Sequence, residues 1–385
     1  MTRVVVIGAS VGGVTVAQSL RELGFDGEIV LLEAGVGLPY QRPPLSKAVL
    51  LGQDPGTADL IDGPGLMAIG VEFRPGARAL GLDLARRRLR LPGEELGFDE
   101  LVIACGASAT VPTHLEHLVA GGAHLLRTRE DAVGLSDALE QSRRLIVLGG
   151  GVLGSEIASA ATARGVPTTL LSRTEQGVGP LRGALSAPLL PLHRAHGVDV
   201  RTEVSDVGRV AGGWSAQARE GEVCADTLVL AVGVHATADW LADSLPVGPD
   251  GIRCDASGRV APGVWAIGDA ADRAGGRHEV SRRTQAAAVA EASTVAAALV
   301  GLPTRPAALP YFWSDIHGVR VQAAGRISPR AVIEVVERSV TGDPVAFVAA
   351  EEGVVAGAAA WGSPRAFRSA RSLLGTSGVL EEIAR

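Results

Sequence analysis

Val4-Val5-Val6-Ile7 running into Gly8-Ala9-Ser10-Val11-Gly12-Gly13 decides how this chain folds. The short β-branched run reads as a buried strand, and the glycines after it let the backbone turn tightly into a helix. Such a turn brings backbone N–H groups against a pyrophosphate at the helix N-terminus, as in a dinucleotide-binding fingerprint. The pattern recurs at Leu145-Ile146-Val147-Leu148 followed by Gly149-Gly150-Gly151-Val152-Leu153-Gly154. A single turn of this kind also occurs with no ligand. Two of them, about one βαβ domain apart, point to two dinucleotides held at once, typically a flavin and a nicotinamide exchanging electrons.

The chain has 385 residues, so two or three domains are expected. A hydrophobic content of 46% supplies several cores, and 50 glycines suit many tight βα turns. The formal net charge of −6 argues against nucleic acid, because phosphate recognition needs a basic surface. Cys105, Cys224 and Cys254 are not closely spaced, which points to a reducing compartment rather than a disulfide framework. The strand-like run begins at about Arg3, so no secretory leader is expected. The alanine-rich stretch 284–302 carries Glu291 and reads as a packed helix rather than a membrane span. A cytoplasmic protein without membrane attachment is the expectation.

Strand-like and helical runs alternate along most of the chain, the pattern of α/β domains built on parallel sheets. Strands are expected at 28–33, 99–104, 168–171, 226–232 and 264–267. Beyond about Pro306 the pattern changes to strands at 319–323, 331–336 and 345–349 before one last helix, a small α+β unit. The second glycine turn interrupts the first domain. The expected organisation is therefore a discontinuous FAD domain (1–108 and 238–304), an NAD(P) domain (109–237) and a C-terminal domain (305–385). On the last helix Arg365, Arg368 and Arg371 recur every three residues and form one basic ridge, whether solvated and paired with Glu381 or Glu382 or used for docking.

The nonapeptide Pro39-Tyr40-Gln41-Arg42-Pro43-Pro44-Leu45-Ser46-Lys47 resembles the hallmark of the oxygenase-coupled, FAD-dependent ferredoxin reductases of glutathione-reductase-like fold. Further matches follow in order: Leu101 to Ala107, Leu126-Arg127-Thr128 with Glu130-Asp131-Ala132, Gly149 to Glu156, Ala266 to Asp269, and Phe312-Trp313-Ser314-Asp315. The resemblance spans nearly the whole chain. It implies FAD at Gly8, Ser10, Gly12, Gly13, Arg42, Lys47, Ala79, Arg127, Asp269, Ser281 and Trp313, with NAD(P)H at Gly149, Gly151 and Gly154. Arg127 has a surface salt bridge as its rival reading, and Trp313 a plain core role. Glu33 lies 20 positions beyond Gly13, near the spacing of a ribose-binding carboxylate. The family commonly carries that acid one residue later, where this chain has Ala34.

By the same resemblance Lys47 and Glu156 pair beside the flavin, where positive charge meets the electron density gained on reduction. The alternative is an ion pair that only bridges domains. Where NADH-specific relatives hold an acid at the end of the second domain's second strand, this chain has Ser172 followed by Arg173. That pair suits a 2′-phosphate, hence NADPH, although a site open to both coenzymes fits as well. After Arg277-His278-Glu279 the family often has a tryptophan and then a glutamine. Here Ser281 and Ala287 stand in those places, with Arg282 and Arg283 between. No C-x-x-C occurs, so electrons are expected to leave the flavin directly, with Cys105 a small apolar residue in a buried turn. The implied function is NAD(P)H-dependent reduction of a small [2Fe–2S]-type ferredoxin that feeds a cytochrome P450 or Rieske oxygenase. No cluster motif is present, so the iron–sulfur centre belongs to the partner. Competing readings are a flavoenzyme acting directly on a small molecule or O2, and a redox-sensing flavoprotein.

Overall fold

In the computed structural model, residues 2–173, 186, 188–273, 283–303, 309–328 and 330–377 are described. Strand Arg3–Ile7 lies inside a six-stranded sheet, between Glu28–Leu32 and Glu100–Ile103. Val71–Arg74 follows on one side, and Val264–Ala266 with Arg259–Ala261 on the other. All neighbours are parallel except that last pair. Val4 to Val6 are essentially inaccessible, and alternation along the strand divides them between two cores. Val4 and Val6 pack with Val14, Ala17 and Leu20 of helix Val11–Glu22 and with Ala292, Val295 and Ala296 of helix Gln285–Leu299. Val5 and Ile7 face a three-stranded antiparallel meander through Leu89, Leu91 and Leu96.

The second glycine turn follows Leu145–Leu148, an inner strand of a four-stranded parallel sheet with Thr168–Ser172, Asp199–Thr202 and Thr227–Leu230. An antiparallel three-stranded sheet, Asp206–Val210, Gly213–Ala218 and Gly221–Ala225, packs on it around the buried Trp214. Ala107–Ala109 pairs with Val234–Ala236 where the chain passes between the two sheets.

The tail forms a five-stranded antiparallel sheet in the order Tyr311–Ile316, Val319–Gly325, Val354–Trp361, Pro344–Glu351, Val332–Arg338, with helix Pro364–Ser372 laid on it. Two of these strands, Tyr311–Ile316 and Val354–Trp361, escape the sequence reading. The second is rich in Ala and Gly, residues with low strand preference, and it is a strand because Ala358, Ala359 and Ala360 are buried against its neighbours and the helix. The meander at Gly81–Gly97 is hidden in the same way by its run of arginines. The α/β class with a small α+β tail is as expected. Among the described residues no helix is long and apolar enough to cross a membrane.

Candidate functional site

At the first turn glycine is imposed by contact. Gly8 has φ +102°, and a Cβ there would stand 2.4 Å from the carbonyl oxygen of Ala104. A Cβ on Gly13 would stand 1.9 Å from that of Gly8, so the helix can approach the strand only without one. Glu33, just past strand Glu28–Leu32, accepts the Ala9 N–H on Oε2 at 2.9 Å and the Gly35 N–H on Oε1 at 3.0 Å. Its carboxylate therefore faces the turn, as a ribose-binding acid would; Ala34 has no such group. Ser10 Oγ donates to the Tyr40 carbonyl at 2.9 Å and accepts from Arg42 Nη1 at 3.2 Å.

A cavity of about 330 Å³ opens beside this turn, within the range of ordinary ligand sites. Gly12, Arg42, Lys47, Arg127, Asp269 and Trp313 line it, together with Ser10, Glu156, Arg283, Gln285 and Tyr311. Arg127 Nη2 donates to Asp269 at 2.9 Å and its Nε to the Ala107 carbonyl at 2.7 Å, so the pair belongs to the cavity wall and not to the open surface. Burial and the neighbouring Arg42 lower the Arg127 guanidinium from its ordinary pKa, while Asp269 opposes them. The Nε of Arg42 is buried with no partner. Two adjacent guanidiniums, one with an orphaned donor, above a glycine turn and a helix N-terminus, are a chemical fit for a pyrophosphate. Asp269 sits on the turn Gly268–Ala270, whose Gly268 N–H donates to Glu291 Oε2 at 2.6 Å.

Lys47 projects from a π-helical turn, Leu45–Val49, in which the Val49 N–H reaches back five residues to the Pro44 carbonyl at 3.0 Å. Its Nζ donates to Glu156 Oε1 at 2.6 Å and lies 5.6 Å from the Trp313 ring centroid. Glu156 comes from helix Val152–Ala163 behind the second turn. There Gly149 has φ +125°, and a Cβ on Gly154 would stand 1.8 Å from the Gly149 carbonyl oxygen. Gly151 is the N-cap of the helix, in extended conformation. Ser172 ends its strand buried, its Oγ only 2.5 Å from where a Cβ on Gly150 would stand, while Arg173 is exposed.

Three expectations need amendment or fall outside this geometry. Ala79, like Glu33, lies outside the lining of this cavity and is half-buried against the first core beside Ala77. Cys105 is half-buried and not purely apolar in its contacts: its thiol donates to the Thr237 carbonyl at 3.0 Å, and desolvation pushes its pKa up to about 12. Ser281 and Arg282 lie outside the described residues. Trp313 lines the cavity half-exposed while Phe312 fills the core, so its place is at the site.

The sequence reading missed Glu291, the Gln41–Gln285 hydrogen bond at 2.8 Å, and two serines on Glu156. Ser46 donates to Oε2, and Ser314 donates to Oε1 at 2.5 Å. A signal for Ser314 was present. It shares the apolar face of its strand with the buried Phe312 and Ile316, an odd place for a hydroxyl with nothing to bond.

Residues 2–293 match the family model of the pyridine nucleotide-disulphide oxidoreductases, and residues 311–383 match a reductase C-terminal model. The chain is 31% identical over 393 residues to the ferredoxin--NAD(+) reductase component of the biphenyl dioxygenase system of Paraburkholderia xenovorans, covering 97% of this chain and 93% of that one. It is 32% identical over 330 residues to the corresponding component of the p-cumate 2,3-dioxygenase system of Pseudomonas putida, covering 84% and 81%. Among solved structures it resembles the covalent putidaredoxin reductase–putidaredoxin complex, with a TM-score of 0.89, 26% identity, and coverage of 100% and 98%.

Proposed function

This chain belongs to the pyridine nucleotide-disulphide oxidoreductases as an FAD-dependent NAD(P)H oxidoreductase, and from that premise we propose that it reduces a small [2Fe–2S]-type ferredoxin serving an oxygenase, either a Rieske dioxygenase or a cytochrome P450. One observation carries the proposal. The cavity between the two glycine turns presents the Lys47–Glu156 pair, and no cysteine is among its lining residues. A thiol relay has no sulfur to work with, so the electrons must pass to an outside acceptor. When bound there, FAD supplies the conversion of two-electron to one-electron transfer.

The protein's part is to bind and orient. In our assignment Arg42, Arg127 and the N-terminus of helix Val11–Glu22 hold the pyrophosphate, Glu33 a ribose, and Asp269 the ribityl chain. Lys47 and Trp313 border the reacting ring, and Glu156 fixes the ammonium of Lys47 on the nicotinamide side. Gly149, Gly151 and Gly154 receive the coenzyme. Ser172 and Arg173 favour a 2′-phosphate over a free ribose diol, since the strand-end position itself carries a hydroxyl in place of a carboxylate and is followed by a cation. We assign residues 1–108 with 238–304 to FAD, 109–237 to NAD(P)H, and 305–385 to a C-terminal unit.

The test is NAD(P)H-driven reduction of cytochrome c by the purified yellow protein, with and without added [2Fe–2S] ferredoxins. Turnover that rises steeply with ferredoxin is expected. Turnover on O2 or a small substrate that ignores ferredoxin would make it a direct-acting flavoenzyme. A reduced protein that reoxidises very slowly with every acceptor would make it a sensor.

A further inference from the structure

We propose that Ser314 and Ser46 are positioning residues for the reduction step: they pin both oxygens of the Glu156 carboxylate and so fix the ammonium of Lys47 at the cavity. The proposal rests on the assignment of Lys47 and Glu156 to the reaction.

Glu156 is only 8% exposed, and a buried carboxylate is tolerated where several donors meet it. Here three do, and they converge from separate parts of the chain. Lys47 and Ser46 come from the π-helical turn Leu45–Val49, whose Leu45 and Val49 pack in one core with Leu135 and Ile157. Ser314 comes from strand Tyr311–Ile316 of the C-terminal sheet and is fully buried. Glu156 itself belongs to helix Val152–Ala163 at the second turn. Oε1 is shared by Lys47 and Ser314, and Oε2 is taken by Ser46. A carboxylate bonded on both oxygens has one orientation available, and Lys47 Nζ is held with it.

Without the clamp the ammonium has another partner within reach. The Pro43 carbonyl lies 3.5 Å from Nζ, so a loosened Glu156 lets the lysine drift along its own turn and away from the Trp313 face. Displacement of a charged group by about 1 Å is enough to slow a positioned reaction by up to two orders of magnitude. The C-terminal unit thereby completes the reduction site.

A second bond between the same helix and sheet provides the control. The His317 N–H donates to Ser159 Oγ at 2.7 Å, one turn further along the helix, and among the described residues the donors to the Glu156 carboxylate are Lys47, Ser46 and Ser314, not Ser159. Ser159→Ala removes an inter-unit bond of the same kind without touching the carboxylate.

The experiment is stopped-flow reduction of the FAD-loaded protein by NAD(P)H in the absence of ferredoxin, on Ser314→Ala, Ser46→Ala and Ser159→Ala. The visible spectrum of the oxidised flavin and the FAD content are recorded beside it. Both Glu156-facing variants are expected to keep their FAD and their coenzyme Kd. Each should lose on the order of ten-fold in limiting reduction rate and shift the flavin band, which reports the charge beside the ring. Ser159→Ala should match the parent in rate and spectrum. Unchanged rate and spectrum in both Ser314→Ala and Ser46→Ala would overturn the proposal, and so would an equal loss in Ser159→Ala, which would make these bonds simple interface glue. No ferredoxin enters these measurements. A wrong acceptor would show itself in turnover with the reduction step intact.

Discussion

The proposed choice of coenzyme rests on a single side chain, Arg173. The turn glycines do not discriminate between coenzymes: Gly149 and Gly154 are fixed by contacts with the Ala231 and Gly149 carbonyl oxygens whichever nucleotide is bound. In the proposed assignment discrimination falls to the end of strand Thr168–Ser172, where Ser172 is buried beside Gly150 and Arg173 is exposed. Discounted for solvent screening, a charge-assisted bond from an exposed guanidinium to a 2′-phosphate is worth about 1–2 kcal/mol. Arg173→Ala should therefore raise the KM for NADPH roughly 5- to 30-fold and leave the KM for NADH nearly unchanged, as steady-state kinetics with each coenzyme will show. Equal effects on both, or a parent enzyme that strongly prefers NADH, would refute the assignment. At this scale the sequence was legible where contact admits one residue type, as at Gly8 and Gly13, and the pairing of Lys47 with Glu156 was legible through the family resemblance. It was silent on Ser46, because a hydroxyl can face anywhere until the turn that carries it is placed; the alternation that marks Ser314 becomes readable only once Tyr311–Ile316 is known to be a strand.

Elements were legible where burial is periodic. Arg3–Ile7 and Leu145–Leu148 are short, largely apolar runs that end at Gly8 and Gly149, and each is an inner strand with parallel neighbours on both sides. Val354–Trp361 was not, since an alanine-rich strand becomes one only through its neighbours. Helix Leu189–Ala195 adds a contact that no local pattern announces. Its His193 is fully buried, with Nδ1 2.9 Å from Nε2 of His317 on the turn after strand Tyr311–Ile316, and His196 stacks on His317 at 4.3 Å. Desolvation and the neighbouring imidazoles lower His193 to about 3 and His317 to about 4, against 6.5 in an open chain. As pH falls below about 6.5 the unfolded chain takes up protons first, so stability is full above that pH and declines toward pH 4. The melting temperature should drop by several degrees between pH 7 and pH 5, with a shallower slope in His193→Gln. A parent whose melting temperature is flat over that range would show that the cluster is not carried neutral.

Over the whole molecule, a net charge of −6 sets the background against which a partner docks. Helix Pro364–Ser372 turns Ala366, Phe367 and Ala370 inward and leaves Arg365, Arg368 and Arg371 exposed, so the threefold spacing is a real ridge. Glu381 and Glu382, its alternative partners, lie outside the described residues. The underside of the helix bears on the site, because the Phe367 ring lies 5.9 Å from that of Tyr311, which lines the cavity. Under the proposed function, an acidic ferredoxin docked on the ridge would meet the outer face of a helix whose inner face touches a residue that lines the cavity. Opposite patches raise association rates by about ten-fold or more at low salt and lose that advantage as salt screens them. Reversing all three arginines to glutamate should raise the KM for ferredoxin about ten-fold at low ionic strength and flatten its salt dependence. Reduction of the flavin by NAD(P)H should be untouched, since none of the three lines the cavity. Unchanged ferredoxin kinetics would move docking to the cavity rim, where Arg283, held by the carbonyls of Val234 and Asp250, is the remaining described arginine besides Arg42 and Arg127, the two assigned above to the pyrophosphate.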